Sequence, residues 1–177
     1  MKILFLDCDG VLNDSNDMMV TGDIRPYYVL NYKKIGHLHH IISKTDCKIV
    51  VSSSWRIMKD GIETLIRHDI PVFDKTDSLS GPRGNEIQAW LDCHPDVTNY
   101  TILDDDSDML IHQRPHFVQT DSSVGLNEVL AYRAIQRLNL PITPSFDQLL
   151  DSVNGDAKTI KTIRDLLNKT YQDKRST

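Results

Sequence analysis

Lys2-Ile3-Leu4-Phe5-Leu6-Asp7-Cys8-Asp9-Gly10-Val11-Leu12-Asn13 is the stretch on which the reading of the chain turns. Ile3 to Leu6 are apolar without alternation, and the run stops at Asp7 and a glycine turn. An unbroken apolar run of this length reads as a strand buried on both faces, as in the middle of a parallel sheet. Asp7 and Asp9 stand at i and i+2, so both carboxylates point to one side of an extended backbone. Like charges so close repel, and one takes up a proton unless a cation lies between them. Such a pair at the carboxyl end of a central strand is a poor device for stability and reads as a site. A calcium loop would need an internal glycine and a closing glutamate, and those positions hold Leu12 and Met18. Only an ordinary strand-end turn competes.

The chain of 177 residues is long enough for one domain with a real core, and a single domain over 1–177 is expected. A hydrophobic share of 40% and a charged share of 25% are those of a soluble globule. The formal charge of -5 forecasts no extended basic surface for long nucleic acid, although it leaves room for a local basic pocket. Cys8, Cys47 and Cys93 form neither a CxxC pair nor an even framework, which suits a reducing compartment. Cys8 is expected to point into the packed side of the strand. No leader peptide or long apolar run is visible, so a cytoplasmic location without membrane attachment is expected. The sequence carries no signal of oligomeric state.

Further along, residues 13–26 are polar and read as a loop or small flap over the end of the first strand. Apolar residues at helical spacing predict a helix over 28–43, with His37, His39 and His40 on a solvated face rather than at a zinc ion. Cys47 to Val51 is a second strand, ending in Ser52-Ser53-Ser54-Trp55-Arg56. Hydroxyls between a strand and a helix suit a phosphate, and Ser53 or Ser54 also suits an N-cap. A helix is expected from there to about His68, then a short strand at Pro71-Val72-Phe73. Arg83 stands just before a helix carrying Ile87, Trp90 and Leu91. Tyr100 to Leu103 is a fourth strand, ending in a second acid cluster, Asp104-Asp105-Asp106-Ser107-Asp108. A fifth strand at His116 to Val118 and a helix through Leu138 follow. Amphipathic segments at 146–153 and 157–171 predict a helical C-terminal extension over about 145–177.

Strands alternating with helices predict a doubly wound parallel sheet, whose sites lie beyond the carboxyl ends of the strands. Asp7 and Asp9, Ser52 and Ser53, and Asp104 and Asp105 all fall there. Asp7-Cys8-Asp9-Gly10-Val11 resembles the first motif of the haloacid-dehalogenase-like (HAD) phosphohydrolases, DxDx(T/V). The other three family motifs follow in order within residues 1–126: Ser52, Arg83, and Asp104 with Asp105 or Asp108. Ser-Ser-Trp-Arg, Arg83-x-x-Glu86-Ile87-x-x-Trp90-Leu91 and Gln119-Thr120-Asp121 ahead of Gly125-Leu126 make the chain most similar to the HAD domains of RNA repair proteins.

The resemblance implies a Rossmann-like HAD core with little or no cap and a phosphatase acting through an aspartyl-phosphate. Asp7 would be the nucleophile and Asp9 the general acid and base. Mg2+ would be held by Asp7, the Asp9 carbonyl and Asp104, with Asp105 assisting. Ser52 and Arg83 would bind phosphoryl oxygens; Lys75 is the other choice for the cation. Gly10, Ser53, Trp55 and Arg56 are placed with the substrate-binding residues, with core packing an equal reading for Trp55. Asp106 and Asp108 also read as turn or N-cap residues. The implied substrate is a phosphorylated nucleotide or nucleic-acid end, with another small phosphometabolite as an alternative. A phosphorylation-receiver domain is the rival from another class, with Asp74 as its only candidate acceptor, and a catalytically dead binding module is a second.

Overall fold

The structure is a computed structural model that describes residues 1–20 and 29–140, without the side chains of residues 18–20. The expected C-terminal extension, with its segments at 146–153 and 157–171, and residues 21–26 of the expected flap lie outside the described residues. Five strands pair in parallel: β1 (Lys2–Leu6), β2 (Lys48–Val51), β3 (Val72–Lys75), β4 (Asn99–Asp104) and β5 (Phe117–Gln119). Their order across the sheet is β3-β2-β1-β4-β5, so the opening apolar run is the middle strand. A flavodoxin-like receiver would be ordered 2-1-3-4-5. Asp74, the only acceptor a receiver could use here, lies in edge strand β3, with its carboxylate taken by Trp90 Nε1 at 2.7 Å. The receiver alternative therefore loses its acceptor.

Strand alternation sorts the core into two layers. Leu4 and Leu6 pack with Leu38 and Ile41 of α2 (Tyr32–Thr45) and with Ala134 and Leu138 of α5 (Glu128–Asn139). Ile3 and Phe5 pack on the other face against Ile87 and Trp90 of α4 (Arg83–Asp92). The Phe5 and Trp90 rings meet edge to face at 5.4 Å. A sheet covered on both faces is the reason β1 reads as an unbroken apolar run. Among the described residues no cap domain is inserted. The described residues between β1 and β2 form α1 (Ser15–Val20), α2 and their connecting turns, and a short turn joins α4 to β4.

Several boundaries differ from expectation. The helix expected from residue 28 begins at Tyr32, because the Asn31 side chain caps it by accepting from Lys33 N. The single helix expected after Ser54 is instead a 3₁₀ turn (Ser54–Ile57) and a short α3 (Gly61–Arg67). Asp60 between them is left-handed at φ 65°, and Gly61 approaches so closely that a Cβ would sit 2.1 Å from the Trp55 carbonyl oxygen. Ile57, Ile62, Leu65 and Ile66, whose spacing predicts one helical face, do not share one: Leu65 is buried, while Ile57 and Ile66 are exposed. Arg83 is the first residue of α4 rather than the residue before it.

The start of α4 is clamped onto the segment after β4. Arg83 N donates to Asp108 Oδ2 at 2.8 Å, Gly84 N to the Asp108 carbonyl at 3.3 Å, and Gln113 Nε2 to the Gly84 carbonyl at 2.8 Å. Only a residue without a side chain fits there, since a Cβ on Gly84 would lie 2.6 Å from Leu110 N. Gly84→Ala should lower the urea midpoint by the equivalent of about 1–3 kcal/mol, the usual cost of overpacking.

Candidate active site

The register of the sheet brings the acids together. Leu6 pairs with Leu103, and Asp7 N donates to the Leu103 carbonyl at 2.9 Å, so Asp7 and Asp104 leave neighbouring strands side by side. Asp7, Asp104 and Asp105 each offer an oxygen within 4.8 Å of the others, the arrangement a divalent cation needs. Gly10 makes this possible: it is left-handed at φ 68°, and a Cβ there would lie 2.4 Å from the Asp105 carboxylate.

Both deep acids resist ionisation. Burial, then the charge of Asp104, pushes Asp7 up to about 8, against the opposing pull of Arg83 and Ser53. Burial raises Asp104 to about 7, although it accepts a hydrogen bond from Asp106 N and faces Arg83. Asp104 Oδ2 is buried without a hydrogen-bond partner among the described residues, as is Ser52 Oγ. A carboxylate oxygen left in that state fits a hard cation. A buried hydroxyl without a partner at the end of β2 fits a ligand oxygen.

Arg83, not Lys75, reaches the acids. Its guanidinium lies 3.7 Å from Asp7 Oδ1, from Asp104 Oδ2 and from Glu86 Oε2. The Lys75 ammonium instead donates to the Arg56 carbonyl at 3.4 Å. Asp105 joins the acid group, whereas Asp108 caps α4 through the Arg83 and Gly84 amides. Asp106 is exposed.

Asp9 is held by two donors, Asn13 Nδ2 on Oδ1 and Trp55 Nε1 on Oδ2, each at 2.9 Å. Trp55, for which the sequence leaves substrate contact and packing as equal readings, is fully buried, with its indole turned inward onto Asp9. Arg56 is also drawn in. Its guanidinium donates to the carbonyls of Ser52, Ser53, Thr76 and Asp77 and to Glu86 Oε2 at 2.7 Å. Little of it is left for a substrate. Gly10, likewise expected at the substrate, has its N–H on Asn13 Oδ1 and its carbonyl under Thr120 Oγ1. It shapes the turn. Ser53 is buried; its hydroxyl accepts from Trp55 N at 3.3 Å and favours the ionised form of Asp7. Sequence reading missed Asn13, whose one clue is its position four residues past Asp9. It gave Thr120 no role of its own, although Gln119-Thr120-Asp121 is one of the stretches that carry the resemblance.

Buried carboxylates, a buried hydroxyl and one guanidinium at the carboxyl ends of a parallel sheet define a domain of the haloacid-dehalogenase type. The model of the family described as the HAD domain in Swiss Army Knife RNA repair proteins matches residues 3–131, and the chain belongs to that family. Membership makes it a hydrolase of the phosphatase kind in general, in a family that generally uses Mg2+. No curated protein and no solved structure gives a significant match. No helix among the described residues is long and apolar enough to cross a membrane.

Two outcomes follow from the electrostatics. Asp7 and Asp104 ionise in the unfolded chain near 3.8 but in the folded, metal-free protein only near 8 and 7. The native state therefore holds extra protons between these values, and metal-free stability should fall as pH rises from about 4 to 8. Melting curves should show that fall, flattened in Asp104→Asn, with a gain on adding Mg2+ that is larger at pH 8 than at pH 5. Separately, Arg56→Ala strands the buried Glu86 carboxylate and should cost about 3–5 kcal/mol in denaturant titrations. Arg56→Lys should recover little of it, since an ammonium cannot reach the same carbonyls.

Proposed function

We propose that the protein is a Mg2+-dependent phosphomonoesterase that works through a phosphate ester on Asp7 and acts on phosphorylated nucleotides or polynucleotide ends, 3′-phosphates foremost. The observation that carries this reading is the meeting of Asp7, Asp104 and Asp105 opposite Arg83. Asp7, Asp104 and Asp105, with the Asp9 carbonyl, would hold the ion, whose chemistry is to neutralise charge on the transferring group. Arg83 and the Ser52 hydroxyl hold phosphoryl oxygens.

An Asp7 oxygen attacks phosphorus while the ester P–O bond breaks, and the leaving oxygen takes a proton from Asp9. Water then attacks the phosphorus of the acyl phosphate and passes a proton to Asp9. The bond to Asp7 breaks, releasing inorganic phosphate. Trp55 and Asn13 hold Asp9 in position for both transfers. A site with no cap among the described residues suits bulky substrates, and the RNA repair setting of the family supports a nucleic-acid end. Three free cysteines agree with a cytoplasmic setting.

The test sets wild type beside Asp7→Asn on 3′-phosphorylated oligonucleotides, mononucleotides and an aryl phosphate, with Mg2+ or EDTA. Wild type should turn over at least the nucleic-acid ends, and EDTA should abolish turnover. Asp7→Asn should lose about three orders of magnitude or more in kcat. Equal Mg2+-dependent rates from the two proteins would overturn the mechanism.

A further inference from the structure

Two clefts flank the acids, and they differ in chemistry. The smaller, about 220 Å³, includes Ser54, Arg83, Glu86 and Asp108 and lies on the cationic side. The larger, about 630 Å³, is bordered by Asp105, Gln119, Asp121, Ser122, Asn127 and Val129. Thr120 also lines it and donates through Oγ1 to the Gly10 carbonyl at 2.7 Å, so the larger cleft adjoins the Asp9-Gly10 turn. Under the phosphatase reading, on which this assignment rests, the alcohol that departs from phosphorus takes its proton from Asp9. The remainder of that alcohol lies in the space next to the turn.

The lining of that space selects its occupant. Among the described residues the space is lined by two carboxylates and no lysine or arginine, which disfavours a second phosphate. Asp121 is fixed in place because Oδ1 accepts from Ser123 N at 2.8 Å and Ser123 Oγ at 2.6 Å, leaving Oδ2 for a ligand hydroxyl. Gln119 is pinned at the edge by its bond from Nε2 to the Asp105 carbonyl at 2.8 Å. Val129 and Leu130 give the cleft an apolar wall. Hydroxyl acceptors beside an apolar wall match a sugar carrying a flat base. We infer that this cleft binds the nucleoside that bears the phosphate, with Asp121 accepting a hydrogen bond from a ribose hydroxyl and Val129 lying against the base. The chain thereby distinguishes ribose from deoxyribose at the reacting nucleotide.

The experiment compares kcat/KM for wild type, Asp121→Ala and Val129→Ala. Substrates are a ribonucleoside 3′-monophosphate, a 3′-phosphorylated oligoribonucleotide, their 2′-deoxy-terminal counterparts and an aryl phosphate. The two ribose substrates separate free nucleotides from chain ends. Wild type should prefer ribose by about tenfold, the usual effect of one hydrogen bond to a charged group. Asp121→Ala should bring the ribose and deoxyribose rates within about twofold of each other. Val129→Ala should lower the nucleotide-to-aryl selectivity several-fold. Aryl phosphate turnover with these ratios unmoved in both variants overturns the cleft assignment alone. Absence of Mg2+-dependent turnover of every substrate by wild type overturns the phosphatase reading, and the cleft assignment with it.

Discussion

Two carboxylates, Asp7 at 6% exposure and Asp104 at 1%, are forced into one another's company by the hydrogen bonding of the sheet. Neither can move away without breaking the pairing of β1 with β4, which also aligns the apolar residues of both core layers. The free energy that folds the domain therefore also confines like charges at the ends of its two central strands. A single guanidinium at 3.7 Å from each is a partial answer. The rest of the compensation must come from protons or from a cation, and that alternative is what makes the place reactive.

The surroundings are organised to keep that tension local. Glu86 receives Arg56 at 2.7 Å, lies 3.7 Å from Arg83 and accepts Leu79 N at 3.0 Å, so one carboxylate ties α4, the 3₁₀ turn and the loop after β3 together. Arg56 in turn gives side-chain donors to the buried carbonyls of Ser52, Ser53 and Thr76. Asn13 gives one amide to Asp9 and accepts another from Gly10, fixing the turn and the carboxylate in a single contact. Among the described residues five buried polar atoms lack hydrogen-bond partners, Ser52 Oγ, Thr76 Oγ1, Thr101 Oγ1, Asp104 Oδ2 and Arg137 Nη1, and of these Asp104 Oδ2 belongs to the acid group.

Much of this was legible in the sequence because it rests on local pattern. The unbroken run at Ile3 to Leu6 marked the central strand, and the two acid clusters marked the ends of β1 and β4. The choice between Arg83 and Lys75 was not legible, since it depends on Gly84 letting α4 dock against the Asp108 segment. An arginine after a serine run, Arg56, looks like a ligand contact, and the tryptophan before it, Trp55, fits a ligand contact or core packing equally well. Their inward direction is set by partners far away in the chain, Asp9 and Glu86, which no spacing rule connects. The break between the 3₁₀ turn and α3 was hidden for a similar reason: apolar residues at helical spacing say nothing about a glycine pressed against a carbonyl.

The link from the Trp55 indole to Asp9 has an optical consequence. The chain has two tryptophans, and they report on different places. Trp90 is stacked on His94 at 3.6 Å and bonded to Asp74, at some remove from the acids, while Trp55 is bonded directly to one of them. Emission from Trp55 therefore reports on the layer of the core that carries its bond to Asp9, while Trp90 reports on the opposite layer, so one chain holds two fluorophores that read its two faces separately.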